Sequence, residues 1–234
     1  MNRSNISVLT VLVSLLGLGK AFGQEDFGQP VVYANNSATV MGQVSINGDP
    51  AGEGDVVAIY AGEELRGKQV VSINQGVAWL PNALVNAKGG EETISFKVYD
   101  ASTGVIIDNK VSTAMISPGK SVGSFTDPLL LIFDTEAPVI TLSGNKNLDY
   151  GEWQDGGNYQ DPGATAMDNL DGDLTDNIEV SGAVNVSVPG VYKLTYTVTD
   201  AAGNVGKAIR TVTVSKKSAT VSLGGLNHTY DGSP

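Results

Sequence analysis

The stretch VYKLTYTVTD, residues 191–200, alternates without a break. Tyr192, Leu194, Tyr196 and Val198 fall on one side, and Lys193, Thr195, Thr197 and Thr199 on the other. Successive side chains of an extended chain point to opposite faces, so a period of two predicts a strand with one packed and one wet face. AAGN (201–204) then supplies a turn, and AIRTVTV (208–214) returns with Val212 and Val214 inward. The two runs read as a β-hairpin.

Outward from this hairpin the same period recurs. SATVMGQVSING (37–48) places Ala38, Val40, Val44 and Ile46 against Ser37, Thr39, Gln43 and Ser45. DVVAIYAGEELRG (55–67) reads as a strand running into a turn, and TISFKVYDASTG (93–104) sets Ile94, Phe96 and Val98 inward before a turn ending at Gly104. Helical periodicity is almost absent after residue 24. Short strands separated by Gly, Asn and Asp turns predict antiparallel β-sandwiches. The fold class expected is therefore all-β, with tandem β-sandwich domains following an N-terminal signal peptide.

DTEAP (134–138) marks a domain junction, a short polar run closed by proline before the next strand, VITL. The expected organisation is a signal peptide at 1–23, a linker at 24–29, a β-sandwich at 30–133, a second sandwich of immunoglobulin size at 134–215, and the start of a further repeat at 216–234. That last piece is too short to bury a core alone, so the chain is expected to continue past Pro234. The leader rests on Arg3, the apolar run 6–18, and the small residues Ala21 and Gly23 placed three and one before Gln24. The run is short for a bilayer span, and the alternative is an uncleaved anchor. Once the signal is cleaved, no membrane span is expected.

The composition narrows the function. A formal charge of −11 disfavours a nucleic-acid partner, because a phosphate backbone recruits Lys and Arg. The chain contains no cysteine, which removes thiol catalysis and leaves core burial, with bound metal as a supplement, to stabilise an exported protein. The 41% hydrophobic content suffices for packed cores.

Four motifs, DTEAPVITLSG, YQDPGATAMDNLDGDLTDNIEVSG, VPGVYKLTYTVTDAAGN and RTVTV, occur in that order over residues 134–214. In order and spacing they resemble the bacterial Ig-like repeat of the DUF5011, or Cry22Aa-type, family of crystal-toxin and surface proteins. ATVSLGGLNHTYDGSP, at the end of the chain, resembles the beginning of a YDG/MBG-type repeat of large bacterial surface proteins. The resemblance implies an immunoglobulin-like sandwich, repeated in tandem, that serves as a stalk or binding module. It does not imply catalysis.

Within the second motif, Asp168, Asp171, Asp173 and Asp176 lie within nine residues. Like charges this close need an offsetting partner, and Ca²⁺ takes six to eight oxygens at about 2.3–2.6 Å. An EF-hand is excluded: counted from Asp168, its third position is Leu170, its fifth Gly172 and its sixth Asp173. A site must therefore be assembled between loops, with Asp200 of TDAAGN and Asp134 or Glu136 at the junction as partners. The metal candidates are Asp134, Asp168, Asp171, Asp173 and Asp200. The competing reading makes the same residues solvated turns, since Asx side chains stabilise turns through their own backbone. Asp176 and Glu179 are expected to face water.

Catalytic candidates are none. A glycosidase needs opposed carboxylates across a cleft, whereas these acids share one loop. His228 is the one histidine and lies in the terminal piece, so a Ser-His-Asp triad would depend on that fragment. Trp79, among apolar neighbours, is expected in the core. Trp153 sits in a polar, Gly-rich loop, where it either plugs the sandwich end or meets a sugar or protein. The expected function is a non-enzymatic, secreted or cell-surface stalk and adhesion module, stiffened by Ca²⁺, with a surface protein or glycan as partner. The alternative is a glycan-binding accessory region of a larger secreted hydrolase.

Overall fold

A computed structural model of the chain describes residues 27–34, 36–152, 158–216 and 224. The expected signal peptide, Trp153, His228 and nearly all of the expected terminal repeat lie outside the described residues. The architecture is all-β, in two compact units that divide between Asp134 and Thr135.

The first unit is built around two central strands. Ser37–Ile46 pairs with Val77–Asn86 in one sheet, and Val56–Ala61 lies between Glu64–Val70 and Glu92–Asp100 in the other. Val40, Leu80, Val85 and Leu131 from the first sheet meet Val57, Ile59, Phe96 and Val98 from the second in one buried cluster. At about 1.5–3 kcal/mol per buried aliphatic or aromatic side chain, this cluster is what holds the sheets together. The inward positions of 38, 40, 44, 94, 96 and 98 are those the alternation predicts.

The pairing is not wholly antiparallel. Ser37–Ile46 runs parallel to Ser121–Val122 and Leu129–Phe133, and in the second unit Asn147–Glu152 runs parallel to Val205–Ser215. Hairpins make only antiparallel neighbours, so these pairs join strands far apart in sequence, which local turn signals cannot reveal. The approach is close: a Cβ on Gly42 would stand 2.6 Å from the Leu129 carbonyl oxygen. Val77–Asn86 also carries a register shift at Pro81–Asn82, where Asn82 adopts a φ of 49°. The bulge moves the buried set from Ala78 and Leu80 to Ala83 and Val85.

The second unit packs Val139–Leu142, Ala164–Asp168 and Gly172–Asp173 as one sheet. Asn147–Glu152, Val205–Ser215, Gly190–Thr199 and Glu179–Ser181 form the other. Among the described residues these are seven strands in two sheets, the layout of an immunoglobulin-like sandwich. Leu194, Tyr196, Val198, Val212 and Val214 are buried together with Ala166. Arg210 is also fully buried, an outcome at odds with its charge until its partners are counted. Its Nη1 donates to the Asn145 carbonyl at 2.6 Å, and Nη2 donates to the carbonyls of Ser143 at 2.9 Å and Gly163 at 2.8 Å. Nε faces the Tyr196 hydroxyl and Asp161 Oδ1. Burial opposes the charge, but the Tyr196 contact and the Asp161 carboxylate outweigh it and raise the guanidinium pKa.

Candidate metal centre

Two turns at one end of the second unit position the acidic residues. In Ala164–Asp168 the inward positions are Ala166 and Asp168, so the alternation that buries an alanine also buries a carboxylate. The chain then reverses over Asn169, Leu170 and Asp171. Asp168 Oδ1 accepts the N–H groups of Leu170 and Asp171, each at 2.9 Å, which closes an Asx turn. Gly172 has a φ of 73°, the left-handed conformation that favours glycine, and it pairs back onto Asp168.

Asp200 arises in the same way. It continues the inward series Leu194, Tyr196, Val198 one step past the end of Gly190–Thr199. Its Oδ1 accepts the Asn204 N–H at 2.7 Å and its Oδ2 the Asn204 side-chain amide at 2.9 Å. That amide also donates to the Glu136 carbonyl at 3.0 Å, which fixes the segment leading into the unit against the turn. Gly206 permits this, since a Cβ there would meet the Pro138 carbonyl oxygen at 2.1 Å.

The result brings two carboxylates of the second unit together: Asp168 and Asp200 each offer an oxygen, and the two oxygens lie within 4.8 Å of one another. Asp134 is the last residue of the first unit. Asp168 is 8% exposed and Asp200 7%, while Asp134 is half-buried. Asp168 Oδ2 is buried and has no hydrogen-bond partner among the described residues.

Asp171 and Asp173 lie outside this group. Asp171 Oδ2 accepts the Ala201 N–H at 2.6 Å, tying one acidic turn to the other. Asp173 Oδ1 accepts the Thr175 N–H at 2.9 Å, and Thr175 through its hydroxyl and N–H holds the Asp173 carboxyl below its usual value. Asp176 is exposed in the 3₁₀ turn Thr175–Asn177, and Glu179 is exposed at the start of its strand.

Trp79 departs from its expected place in the core. It is half-buried on the side of its strand opposite Ala78 and Leu80, and its ring lies 5.1 Å from that of the exposed Phe125. The signal was present in VAWLP, since alternation assigns Trp79 to the face that Leu80 does not share.

The second unit is thus an immunoglobulin-like sandwich bearing an acidic cluster at one end. Residues 140–214 match a family described as "Bacterial surface protein, Ig-like domain". No curated protein matches the chain. Among solved structures, the lipoprotein BT2262 from Bacteroides thetaiotaomicron shares 26% identity over 36% of this chain, with a TM-score of 0.31. The M60 catalytic domain with the CBM51-1 and CBM51-2 domains from Clostridium perfringens ZmpB shares 19% identity over 84% of this chain, with a TM-score of 0.26. The chain spans 40% of the first structure and 20% of the second. Among the described residues, no helix is long and apolar enough to cross a membrane.

Proposed function

We propose that this chain is part of an exported bacterial surface protein in which serial β-sandwich units hold a binding element away from the envelope and contribute to adhesion, without catalysis. The observation that carries this reading is the surface-protein Ig-like match over residues 140–214, on a unit whose two sheets enclose a filled core. The finer relationships, to the DUF5011 repeat at 134–214 and to a YDG/MBG-type repeat at the end of the chain, belong to the same proposal. The Asp-rich turn fits it too: Asp168, Asp171 and Asp173 each accept backbone N–H groups of the turns. The test is made on intact cells of the bacterium that encodes the chain. Antibody should label the chain from outside, and cells lacking the coding sequence should attach less to host or glycan-coated surfaces. A chain found only inside the cell would overturn the reading, as would unchanged attachment.

The Trp79–Phe125 pair favours a second reading, a glycan contact, because exposed aromatic faces stack on sugar rings. On that reading the full chain is retarded in polysaccharide-containing native gels with or without a cation, and Trp79→Ala abolishes the retardation. Mobility unaffected by any polysaccharide would dismiss it.

A further inference from the structure

We infer that the outer face of the sheet containing Ser37–Ile46 is a binding groove for a chain of neutral sugars, with Trp79 and Phe125 at one end and Gly48 and Pro50 at the other. The inference rests on the glycan reading of the Trp79–Phe125 pair, and it adds the extent of the site and the class of glycan. Every residue of the groove belongs to the first unit.

Strand register assembles the groove. Ser37–Ile46 runs between Val77–Asn86 on one side and Leu129–Phe133 on the other. Gln43 pairs with Trp79 across the first boundary and with Leu130 across the second, and Ser45 pairs with Ile132. Val77 lies two residues before Trp79 on the same face of its strand. The alternate residues Val44, Ala78 and Leu131 are buried in the core, so these six side chains point away from it. Gln43, Ser45, Val77, Leu130 and Ile132 line a groove of about 320 Å³ that ends at Gly48 and Pro50, where Pro50 pairs with Ser45. Trp79 stands beside it, opposite Gln43. The loop bearing Phe125 is braced next to the Trp79 ring by a turn, in which the Ser124 N–H donates to the Asp127 carbonyl at 2.9 Å and the Asp127 N–H to the Ser124 hydroxyl at 3.0 Å.

The lining selects the ligand. Apolar and polar side chains alternate across the strands, with Gln43 between Leu130 and Trp79 and Ser45 between Ile132 and Val77. No charged side chain lines the groove. A sugar ring is divided in the same way, with C–H groups on its faces and hydroxyls at its edge. The Trp79 ring and its aliphatic neighbours suit the faces. The Gln43 amide and the Ser45 hydroxyl each supply donor and acceptor to the edge. Neither of these side chains makes a hydrogen bond among the described residues, so both are available to a ligand.

Other occupants fit less well. A further strand cannot add here, because Ser37–Ile46 already has a neighbour on each side. An apolar protein surface would strip water from Gln43 and Ser45 and return no hydrogen bonds, which costs free energy. A charged polysaccharide finds no counter-charge in the groove, and a chain of formal charge −11 repels an anionic one. A neutral glycan meets none of these objections.

The experiment is electrophoresis of the full chain through native gels containing, in turn, the neutral polysaccharides laminarin, hydroxyethylcellulose and galactomannan, and the acidic alginate and polygalacturonate. At least one neutral polymer should retard the chain, and neither acidic polymer should. Gln43→Ala and Leu130→Ala should each weaken the dissociation constant read from retardation by about threefold or more. Leu130 is exposed, so its variant carries the test if Gln43→Ala does not fold. Ile106→Ala, at an exposed position on the other sheet, should leave binding unchanged. Retardation by an acidic polymer as strong as by the neutral ones would overturn the inference, as would undiminished retardation of either folded groove variant. In both cases a glycan contact at Trp79 would still stand if Trp79→Ala abolished retardation. Mobility unaffected by every polymer would remove the groove and the glycan reading together.

Discussion

Arg210 donates from Nε to the hydroxyl of Tyr196 at 3.0 Å, both residues fully buried between the sheets of the Ig-like unit. The Tyr196 hydroxyl in turn donates to Asp161 Oδ2, whose other oxygen faces the same guanidinium. Burial, and then the Asp161 carboxylate, push the phenol above its ordinary pKa, so it remains a donor. One charged side chain thereby joins the strand Val205–Ser215 to the carbonyls of Ser143, Asn145 and Gly163.

Breaking this network should be costly. Arg210→Met takes the cation away from Asp161 and the guanidinium donors away from the carbonyls of Ser143, Asn145 and Gly163, and about 3–5 kcal/mol of stability should be lost. Tyr196→Phe removes a single hydroxyl and should cost about 1–3 kcal/mol. Urea unfolding followed by circular dichroism reads both, and Arg210→Met as stable as the parent would show that the network is dispensable.

Gly206 should tolerate no side chain. A methyl group there collides with the Pro138 carbonyl oxygen, which is backbone and cannot swing aside. Gly206→Ala is expected to destabilise the unit by about 1–3 kcal/mol, the usual cost of overpacking. A melting midpoint equal to the parent's would contradict the tight approach.

Asp171→Ala releases the Ala201 N–H and unties the two acidic turns. The bond is at the surface, so a loss of about 1 kcal/mol is expected in EGTA. Faster amide exchange at Ala201 is the local signature, and unchanged exchange would rule the tie out.

The first unit should weaken in acid. Arg66, 3% exposed, meets Glu92 through two bonds of 2.7 and 3.2 Å. Burial raises the Glu92 pKa, but the Arg66 guanidinium and the Lys88 N–H outweigh it and hold the carboxyl below its ordinary 4.5. A carboxyl with a folded-state pKa below its unfolded one adds stability in full above the unfolded value, and this is lost as pH falls through the folded value. Urea midpoints should therefore decline below about pH 4.5. Glu92→Gln should be less stable at pH 7, having left the buried guanidinium with only the more exposed Glu64 as counter-charge at 3.1 Å, and should show a shallower acid decline. An equally steep decline in the variant would assign the acid sensitivity elsewhere.

Much of the fold was legible because alternation is a local property. The runs at 37–46, 93–98 and 191–198 needed only their own residues to declare an inward face. Arg210 shares that face with Val212 and Val214, so its burial was written in the period, but charge argues against believing it. Three of its acceptors are carbonyls, which no side-chain pattern displays. The parallel pairings were hidden for a related reason, since they join strands with no shared turn. At the acidic end, the sequence offered Asp134, Asp168, Asp171, Asp173 and Asp200 as equals. Position in the strands separates them: Asp168 and Asp200 extend inward series, whereas Asp171 lies in the turn, Asp173 on the short strand after it, and both are exposed.

The first and last long strands of the first unit, Ser37–Ile46 and Leu129–Phe133, lie side by side and parallel over five register pairs. Tension applied at opposite ends of this unit would pull those two strands past one another along their length. The hydrogen bonds between them are then loaded in shear and resist together, where an antiparallel hairpin would unzip one rung at a time. This predicts a high rupture force for residues 30–133, the property that the proposed stalk role would call on. Single-molecule stretching from the chain ends reads that force, and extension at a few piconewtons would refute it.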